Sequence, residues 1–265
     1  MEISHAMNWA YSGSGFVVGL LVGMTGVGGG SLMTPLLVLL FKFHPATAVG
    51  TDLLFAAATK SVGTLVHGAR STVEWPIVRR LATGSIPGAT ATLTVLYLIG
   101  ARTGNTSQLI TVVLAVALFL TALSLIFRDR LFAWARGRVP APSPSRVVAL
   151  TIFTGLVLGV VVSISSVGAG AIGVTALLAL YPALPTVRIV GSDIAHAVPL
   201  TLVAGIGHLL VLGTIDFSLL ASLLIGSIPG ILIGSTIATR VPDGVLRPLL
   251  AAVLVLVGLK LLGVF

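Results

Sequence analysis

Charged residues are scarce in this chain, and cysteine is absent. Only 8% of the 265 residues are Asp, Glu, Lys or Arg, whereas soluble domains carry about a quarter. Without cysteine there can be no disulfide, no thiolate metal ligand and no cysteine nucleophile. The hydrophobic share of 56% and the mean hydropathy of +1.14 indicate a protein whose solvent is lipid.

The net charge of +8 does not indicate nucleic-acid binding. Most arginines lie in short connections between apolar segments, where the positive-inside rule places them, so we expect no nucleic-acid partner. Residues 1–5 lack the basic region of a cleaved signal peptide, and the first apolar segment is expected to be retained.

Eight apolar stretches follow one another along the chain, at approximately 9–41, 46–66, 75–99, 108–127, 147–181, 187–212, 217–238 and 245–265. Six have the length of about 20 residues that crosses a bilayer. The first and fifth are too long for one crossing, and each contains a break of small or polar residues, at 25–31 and 163–170. Interrupted segments at matching places in two halves indicate a transporter binding site.

The two halves of the chain repeat the same residues in the same order. The pentapeptide Gly-Ser-Ile-Pro-Gly occurs at 84–88 and again at 226–230, and Gly-Thr-Asp at 50–52 matches Gly-Ser-Asp at 191–193. We therefore predict an all-α polytopic membrane protein with two homologous repeats, 9–127 and 147–265. Between them, 128–146 holds five arginines and a proline-rich run, which predict a polar, extended cytoplasmic linker.

Charge counting favours inversion of the second repeat. If all eight stretches cross once, the repeats are parallel, with 9 basic residues inside and 5 outside. If each broken stretch enters and returns on one side, each repeat keeps three full crossings and the counts become 11 and 3. The second distribution follows the positive-inside rule better. We predict inverted repeats, each with a glycine-broken, re-entrant segment, and both termini outside.

The two breaks are the leading candidates for substrate contact. Close helix packing could explain a single glycine, but four glycines among residues 26–30 suggest irregular backbone around a cavity. A half-helix that begins near Ser31 would direct free N–H groups toward an anion. The substrate-binding residues predicted at the breaks and at nearby polar positions are Gly28, Gly29, Gly30, Ser31, Thr51, Lys60, Ser166, Gly168, Gly170 and Ser192.

Ionisable residues inside apolar segments are costly and are therefore functional candidates. Lys60 could pair with a carboxylate or bind an anionic substrate, and we favour substrate binding. Asp52 and Asp193 could equally well cap or pair structurally or act in transport. Of the three histidines in these segments, His196 lies deepest, and His67 and His208 could be interfacial. The candidates for proton coupling are Asp52, Asp193, His196, His67 and His208.

Other motifs have structural interpretations. The repeated pentapeptide predicts a kink that glycine accommodates, and Glu74 and Asp216 predict N-terminal helix caps. No nucleophile–base pair or metal-ligand set can be assembled from the sequence. We therefore predict no enzyme activity, no catalytic residue, no metal site and no cofactor.

The chain resembles the TauE/SafE family of membrane permeases, also called sulfite exporters. The resemblance lies in Gly-Val-Gly-Gly-Gly-Ser at 26–31, in Pro35 and in the run 44–52. The second repeat is looser, with Gly-Ala-Gly at 168–170 in place of the glycine cluster. The resemblance implies export of a small sulfur-containing anion, sulfite or an organosulfonate such as sulfoacetate, by a multi-pass protein of the bacterial inner membrane.

Three classes of function compete. The leading hypothesis is a secondary transporter that works by alternating access, with proton coupling through aspartate or histidine. A channel-like anion conductor would share the lining residues without coupling, and an intramembrane enzyme finds no support. The expected partners are the anion and the lipid bilayer, and a homo-oligomer stays open. Because Lys60 has Thr201 as its counterpart, we expect the first repeat to supply the positive charge.

Overall fold

The computed structural model of the protein describes residues 9–25, 30–100, 104–138, 143–237 and 243–264. These residues contain ten α-helices, one π-helix and no strand. The helices are α1 Trp9–Thr25, α2 Gly30–Leu39, α3 Pro45–Ala69, α4 Trp75–Ile99, α5 Gly104–Arg138, α6 Pro144–Ser165, α7 Ala171–Leu180, α8 Thr186–Gly207, α9 Phe217–Ile237 and α10 Asp243–Leu261. The π-helix His208–Leu212 continues directly from α8.

Five apolar segments of the described helices are long enough to cross a membrane: Trp75–Ile99, Thr106–Phe127, Pro144–Ser165, Thr186–Leu212 and Phe217–Gly234. Large apolar side chains on them, such as Leu98, Phe153 and Leu232, remain exposed at the outside of the helix assembly. Such faces require lipid as their solvent. The prediction of an all-helical polytopic membrane protein is confirmed.

Both overlong apolar stretches are divided into two helices. α1 ends at Thr25 and α2 begins at Gly30, one residue before the predicted start of the half-helix. The predicted residues Gly28 and Gly29 lie outside the described residues. In the second break, Ser166 has a φ of 59°, while Gly168 and Gly170 have φ values of 120° and 133°. Glycine adopts such backbone geometry freely, whereas other residues do so rarely.

α3 and α8 form an antiparallel pair between the two halves. Gly50, near the start of α3, lies against His208 just beyond the end of α8. Gly63, near the end of α3, lies against Ile194, near the start of α8. The contacts therefore run in opposite directions along the two helices, which cross near the middle of α3.

The glycines of the repeated pentapeptide bring α4 against α6. A Cβ atom on Gly84 would collide with the carbonyl oxygen of Ile152, and one on Gly88 would lie 2.7 Å from the carbonyl oxygen of Leu156. Small residues permit this approach of two backbones in lipid. Because residue numbers rise together along the contact, α4 and α6 are parallel.

The second copy of the pentapeptide makes the same kind of contact between α9 and α1. Gly226 lies against the backbone of Ser12, and Gly230 lies against the backbone of Phe16. This pair is parallel as well. α4 and α9 continue as helices through the prolines of the motif, so these contacts assign the motif to close packing.

α5 is longer than its apolar stretch. It continues to Arg138, and the expectation of an extended chain is therefore wrong for the first part of the predicted linker 128–146. The residues there are mostly good helix formers, and the first proline comes only at position 140. α6 begins at Pro144, where a proline costs no helical hydrogen bond.

Candidate functional site

Four buried ionisable side chains lie on α3 and α8, the antiparallel pair between the two halves. Asp52, Asp193 and His196 have no exposed surface, and Lys60 is 8% exposed. Each aspartate lies about two turns inside its helix. The capping alternative for them is therefore wrong, because a cap must precede the first turn.

The Lys60 ammonium reaches the second break. Its Nζ donates a hydrogen bond of 2.9 Å to the carbonyl oxygen of Ala169, between α6 and α7. Within the described ranges Lys60 forms no ion pair, and Asp52 and Asp193 act on its charge from farther away. An ammonium group has three donors, and two of them have no partner among the described residues, so they are available to a ligand.

The two aspartates face the short helices that follow the breaks. The Thr34 hydroxyl of α2 donates a 2.5 Å hydrogen bond to Asp52 Oδ2, while Asp52 Oδ1 has no partner among the described residues. Asp193 Oδ1 lies against Gly173 of α7. In the described structure neither oxygen of Asp193 is hydrogen-bonded. Asp193 is thus the less satisfied carboxyl group.

The residue of the second half that matches Thr34 contacts α5 and not the aspartate. Thr175 is the counterpart of Thr34 at the same offset as Asp193 from Asp52. Its hydroxyl lies 2.5 Å from the Ser124 hydroxyl of α5. The two halves therefore hold their aspartates differently.

Further buried polar atoms near the second break lack partners in the described part of the chain: Ser163 Oγ, Ser166 Oγ and His196 Nδ1. The Ser166 side chain lies near the Asp52 carboxyl group, without a hydrogen bond of good geometry. Each unsatisfied buried group costs about 1–3 kcal/mol, and such groups are few in folded proteins. Serine hydroxyls without a partner among the described residues, at the break that Lys60 contacts, indicate a site that a polar ligand or water would complete.

His67 and His208 make matching contacts at the ends of their helices. His67 Nδ1 lies 2.8 Å from Thr72 Oγ1, and His208 Nδ1 lies 2.9 Å from Thr214 Oγ1. The second pair is separated by one additional residue, which the π-helix at His208–Leu212 accommodates.

His208 is not an interfacial residue. It has no exposed surface, and its Nε2 lies 3.0 Å from the Ser163 carbonyl oxygen near the end of α6. The interfacial alternative is therefore wrong for this histidine, whose two ring nitrogens are both engaged. His67 is partly exposed.

Thr51 and Ser192 connect the two halves of the chain. The backbone N–H of Asp216 donates to Thr51 Oγ1 at 3.1 Å, and the backbone N–H of Glu74 donates to Ser192 Oγ at 2.8 Å. Both predicted substrate ligands thus hold the start of a helix in the other half. Of the other predicted residues, Gly30 is the first residue of α2 and Ser31 is buried.

The two predicted caps differ. Asp216 Oδ1 accepts a 2.9 Å hydrogen bond from the Leu219 N–H, which confirms the cap of α9. Glu74 precedes α4, but its side chain makes no capping bond and pairs with Arg188 at 2.5 Å. The cap prediction is wrong for Glu74, whose carboxylate is attracted to the guanidinium group instead.

Sequence reasoning missed two hydroxyls that contact predicted site residues. Thr34 binds Asp52, and its recurrence as Thr175 was a readable signal. Ser85 lies 2.8 Å from His196 Nε2. It belongs to the pentapeptide, for which the sequence predicts only a kink, so its contact with His196 was not predicted. The counterpart of His196 is Phe55, so the repeat carried no signal for this pair.

Known membrane transporter proteins are similar to this chain in sequence. The sequence profile described as Sulfite exporter TauE/SafE matches residues 11–261. The chain belongs to the TauE/SafE family. Within Bacillus subtilis (strain 168) it is similar to the probable membrane transporter protein YjnA, with 39% identity over 94% of this chain and 97% of that protein.

Two further relatives from the same organism are probable membrane transporter proteins. YdhB is 27% identical over 93% of this TauE/SafE chain and 97% of its own length. YunE is 40% identical over 28% of this chain and 26% of its own length. No solved structure matches the chain. Family and relatives are membrane transporters rather than enzymes. Together with the apolar helices, they make this TauE/SafE chain a multi-pass protein of the plasma (inner) membrane.

Proposed function

We propose that the protein is a secondary transporter that exports sulfite or an organosulfonate such as sulfoacetate by alternating access. The observation that carries the proposal is the buried Lys60 ammonium, which has spare donors at a break between two helices. An oxyanion would occupy those donors through charge-assisted hydrogen bonds. The glycines of the breaks remain candidates for additional N–H donors. The sulfur-containing substrate and the export direction rest on the family description.

We place this site at the centre of two inverted repeats. The contacts of Glu74 with Ser192 and of Ser85 with His196 make α4 parallel to α8 and therefore antiparallel to α3, and we infer a matching reversal at the short loop between α8 and α9. With the glycine contacts, this gives α1, α3 and α9 one direction and α4, α6 and α8 the other. The sequence repeat pairs α1 with α6, α3 with α8 and α4 with α9. Each helix thus runs opposite to its counterpart, which supports inversion.

The same directions support re-entrant breaks. α1 and α3 run the same way although α2 separates them, and α6 and α8 run the same way although α7 separates them. Each short helix must therefore return the chain toward the side from which it came. In this arrangement the arginine-rich linker and the loop between α3 and α4 share the cytoplasmic side.

Lys60 lies near the pseudo-twofold axis of this arrangement. The α3–α8 contacts of Gly50 with His208 and of Gly63 with Ile194 are centred at residues 56–57 of α3, about one turn from Lys60, and at its counterpart Thr201 of α8. Residues near such an axis approach their own counterparts, so two lysines there would repel each other. This explains why the positive charge is present in only one repeat.

The charge balance of the site supports coupling to a proton. Lys60 carries one positive charge, and Asp52 and Asp193 would together carry two negative charges, a sum that repels an anion. The Thr34 hydroxyl donates a hydrogen bond to Asp52 and so stabilises its ionised form, whereas no described group donates a hydrogen bond to Asp193. We therefore assign the coupled proton to Asp193, which would take it up when the anion binds.

Flux in proteoliposomes tests this proposal against the channel alternative. A transporter should show counterflow, in which unlabelled sulfite or sulfoacetate on one side accelerates entry of the labelled anion from the other, and a pH gradient should drive flux. A channel-like conductor has the same lining but shows neither effect. Flux without counterflow would reject alternating access, and absence of flux for every sulfur anion would reject the substrate class.

A further inference from the structure

We propose that His196 is a direct ligand of the transported anion and that Ser85 positions it. The neutral imidazole would donate its Nδ1–H to an anion oxygen beside Lys60, while Ser85 holds the other ring nitrogen. The inference rests on the proposed function and adds a ligand to its site. It also gives His196 a different role from the proton coupling that its position in the sequence predicts.

The geometry of the ring carries the first step. His196 has no exposed surface, and its Nε2 lies 2.8 Å from Ser85 Oγ on α4. Its Nδ1 has no hydrogen-bond partner among the residues that the structure describes. Buried ring nitrogens are normally paired, so this one indicates a missing ligand.

Ser85 decides which nitrogen carries the proton. A serine inside a helix usually donates to the carbonyl one turn earlier, yet the described structure gives the Ser85 hydroxyl only the imidazole as a partner. If Ser85 donates to Nε2, its proton is used and the neutral ring carries hydrogen on Nδ1. If instead Nε2–H donates to Ser85 Oγ, the Ser85 hydroxyl proton and the Nδ1 lone pair both lack a partner among the described residues. The Nδ1–H tautomer is therefore favoured, and it is a donor.

The surrounding charges suit an anion at this donor. Lys60 lies one turn before Gly63 on α3, and His196 lies two residues after Ile194 on α8. Because Gly63 contacts Ile194 and the two helices are antiparallel, Lys60 and His196 lie at the same level of the pair, and the Lys60 charge acts on His196 and on Asp193. Lys60 attracts the anion without regard to direction, whereas an N–H group on a fixed ring orients it. An oxyanion has several acceptor oxygens and can accept from both groups.

The repeat supplies matched substitutions. The counterpart of His196 is Phe55, and the counterpart of Ser85 is Ser227, which is equally buried. The Ser227 hydroxyl makes only a 3.4 Å contact with the carbonyl oxygen of Leu224. Ser227→Ala is thus a control for the loss of a buried hydroxyl from the same motif.

Anion binding to the purified full-length protein in detergent tests the ligand role, with sulfite, sulfate and sulfoacetate as probes. We expect His196→Phe to weaken binding roughly ten- to hundredfold and His196→Asn, which keeps a donor near the Nδ1 position, to weaken it less. Ser85→Ala should weaken binding, whereas Ser227→Ala should not. Equal affinity of wild type and His196→Phe would overturn the inference while leaving the proposed function intact.

Nitrogen-15 NMR of histidine-labelled protein tests the tautomer separately. The His196 signals, assigned by their absence in His196→Phe, should show hydrogen on Nδ1 and should shift when the bound anion is added. Hydrogen on Nε2, or Nδ1 signals that do not respond to an anion that binds, would overturn the ligand role. If the wild type binds none of the probes, the proposed function fails and the inference fails with it.

Discussion

The Lys60 ammonium lies 2.9 Å from the carbonyl oxygen of Ala169, so a cation from the first half of the chain contacts the break in the second half. Ala169 stands between two glycines with positive φ, in backbone that forms no helix. A movement of one half against the other would change this contact. The Lys60 ammonium thus connects the candidate site to the interface between the two halves, where alternating access would take place.

Removal of the Lys60 charge should abolish most anion binding. Lys60→Ala is expected to lower affinity for sulfite or sulfoacetate by at least about thirtyfold, since a buried charged partner is lost. Lys260→Ala is the control, because that lysine is exposed near the end of α10. Binding calorimetry at fixed ionic strength provides the measurement. Unchanged affinity in Lys60→Ala would contradict the direct-ligand role.

The pH dependence of binding should depend on Asp193. If Asp193 takes up a proton with the anion, wild-type affinity falls as pH rises, because the ionised carboxylate repels the anion. Asn is neutral at every pH, so Asp193→Asn should keep its affinity at high pH and should lose flux driven by a pH gradient. Binding profiles and proteoliposome flux measure the two effects. Identical pH profiles for both proteins would remove Asp193 from the coupling mechanism.

Close glycine contacts should decide the stability of the α1–α9 pair. A Cβ atom on Gly15 would meet the backbone of Leu223, whereas one on Gly13 meets nothing within 4 Å. We expect Gly15→Ala to destabilise the protein by about 1–3 kcal/mol and Gly13→Ala in the same helix to be neutral or slightly stabilising. Thermal unfolding in detergent compares them. Equal melting temperatures would refute the packing role.

Inversion of the repeats should be visible in cysteine labelling, since the chain has no native cysteine. Ser71→Cys, between α3 and α4, and Ser143→Cys, before α6, should react from the cytoplasmic side. Val264→Cys, after α10, should react from the opposite side. A membrane-impermeant maleimide on intact and permeabilised cells distinguishes the sides. Labelling of all three from one side would reject the inverted arrangement.

The helices and their breaks follow from local properties of the sequence. Runs of about 20 apolar residues require helices in lipid, and small residues at 25–31 and 163–170 interrupt two runs. The predicted half-helix near Ser31 begins at Gly30. The exact start of a helix was less predictable, and Asp52 and Asp193 therefore resembled caps although they lie two turns inside.

The sequence by itself determined that the chain is a helical membrane protein with two broken segments, because hydropathy, helix length and glycine content act locally. Only the tertiary structure decided what the buried polar groups contact. Lys60 meets Ala169 across 109 positions, and Ser85 meets His196 across 111. Such pairs arise from the crossing of helices distant in sequence. Their geometry depends on packing that no local pattern records.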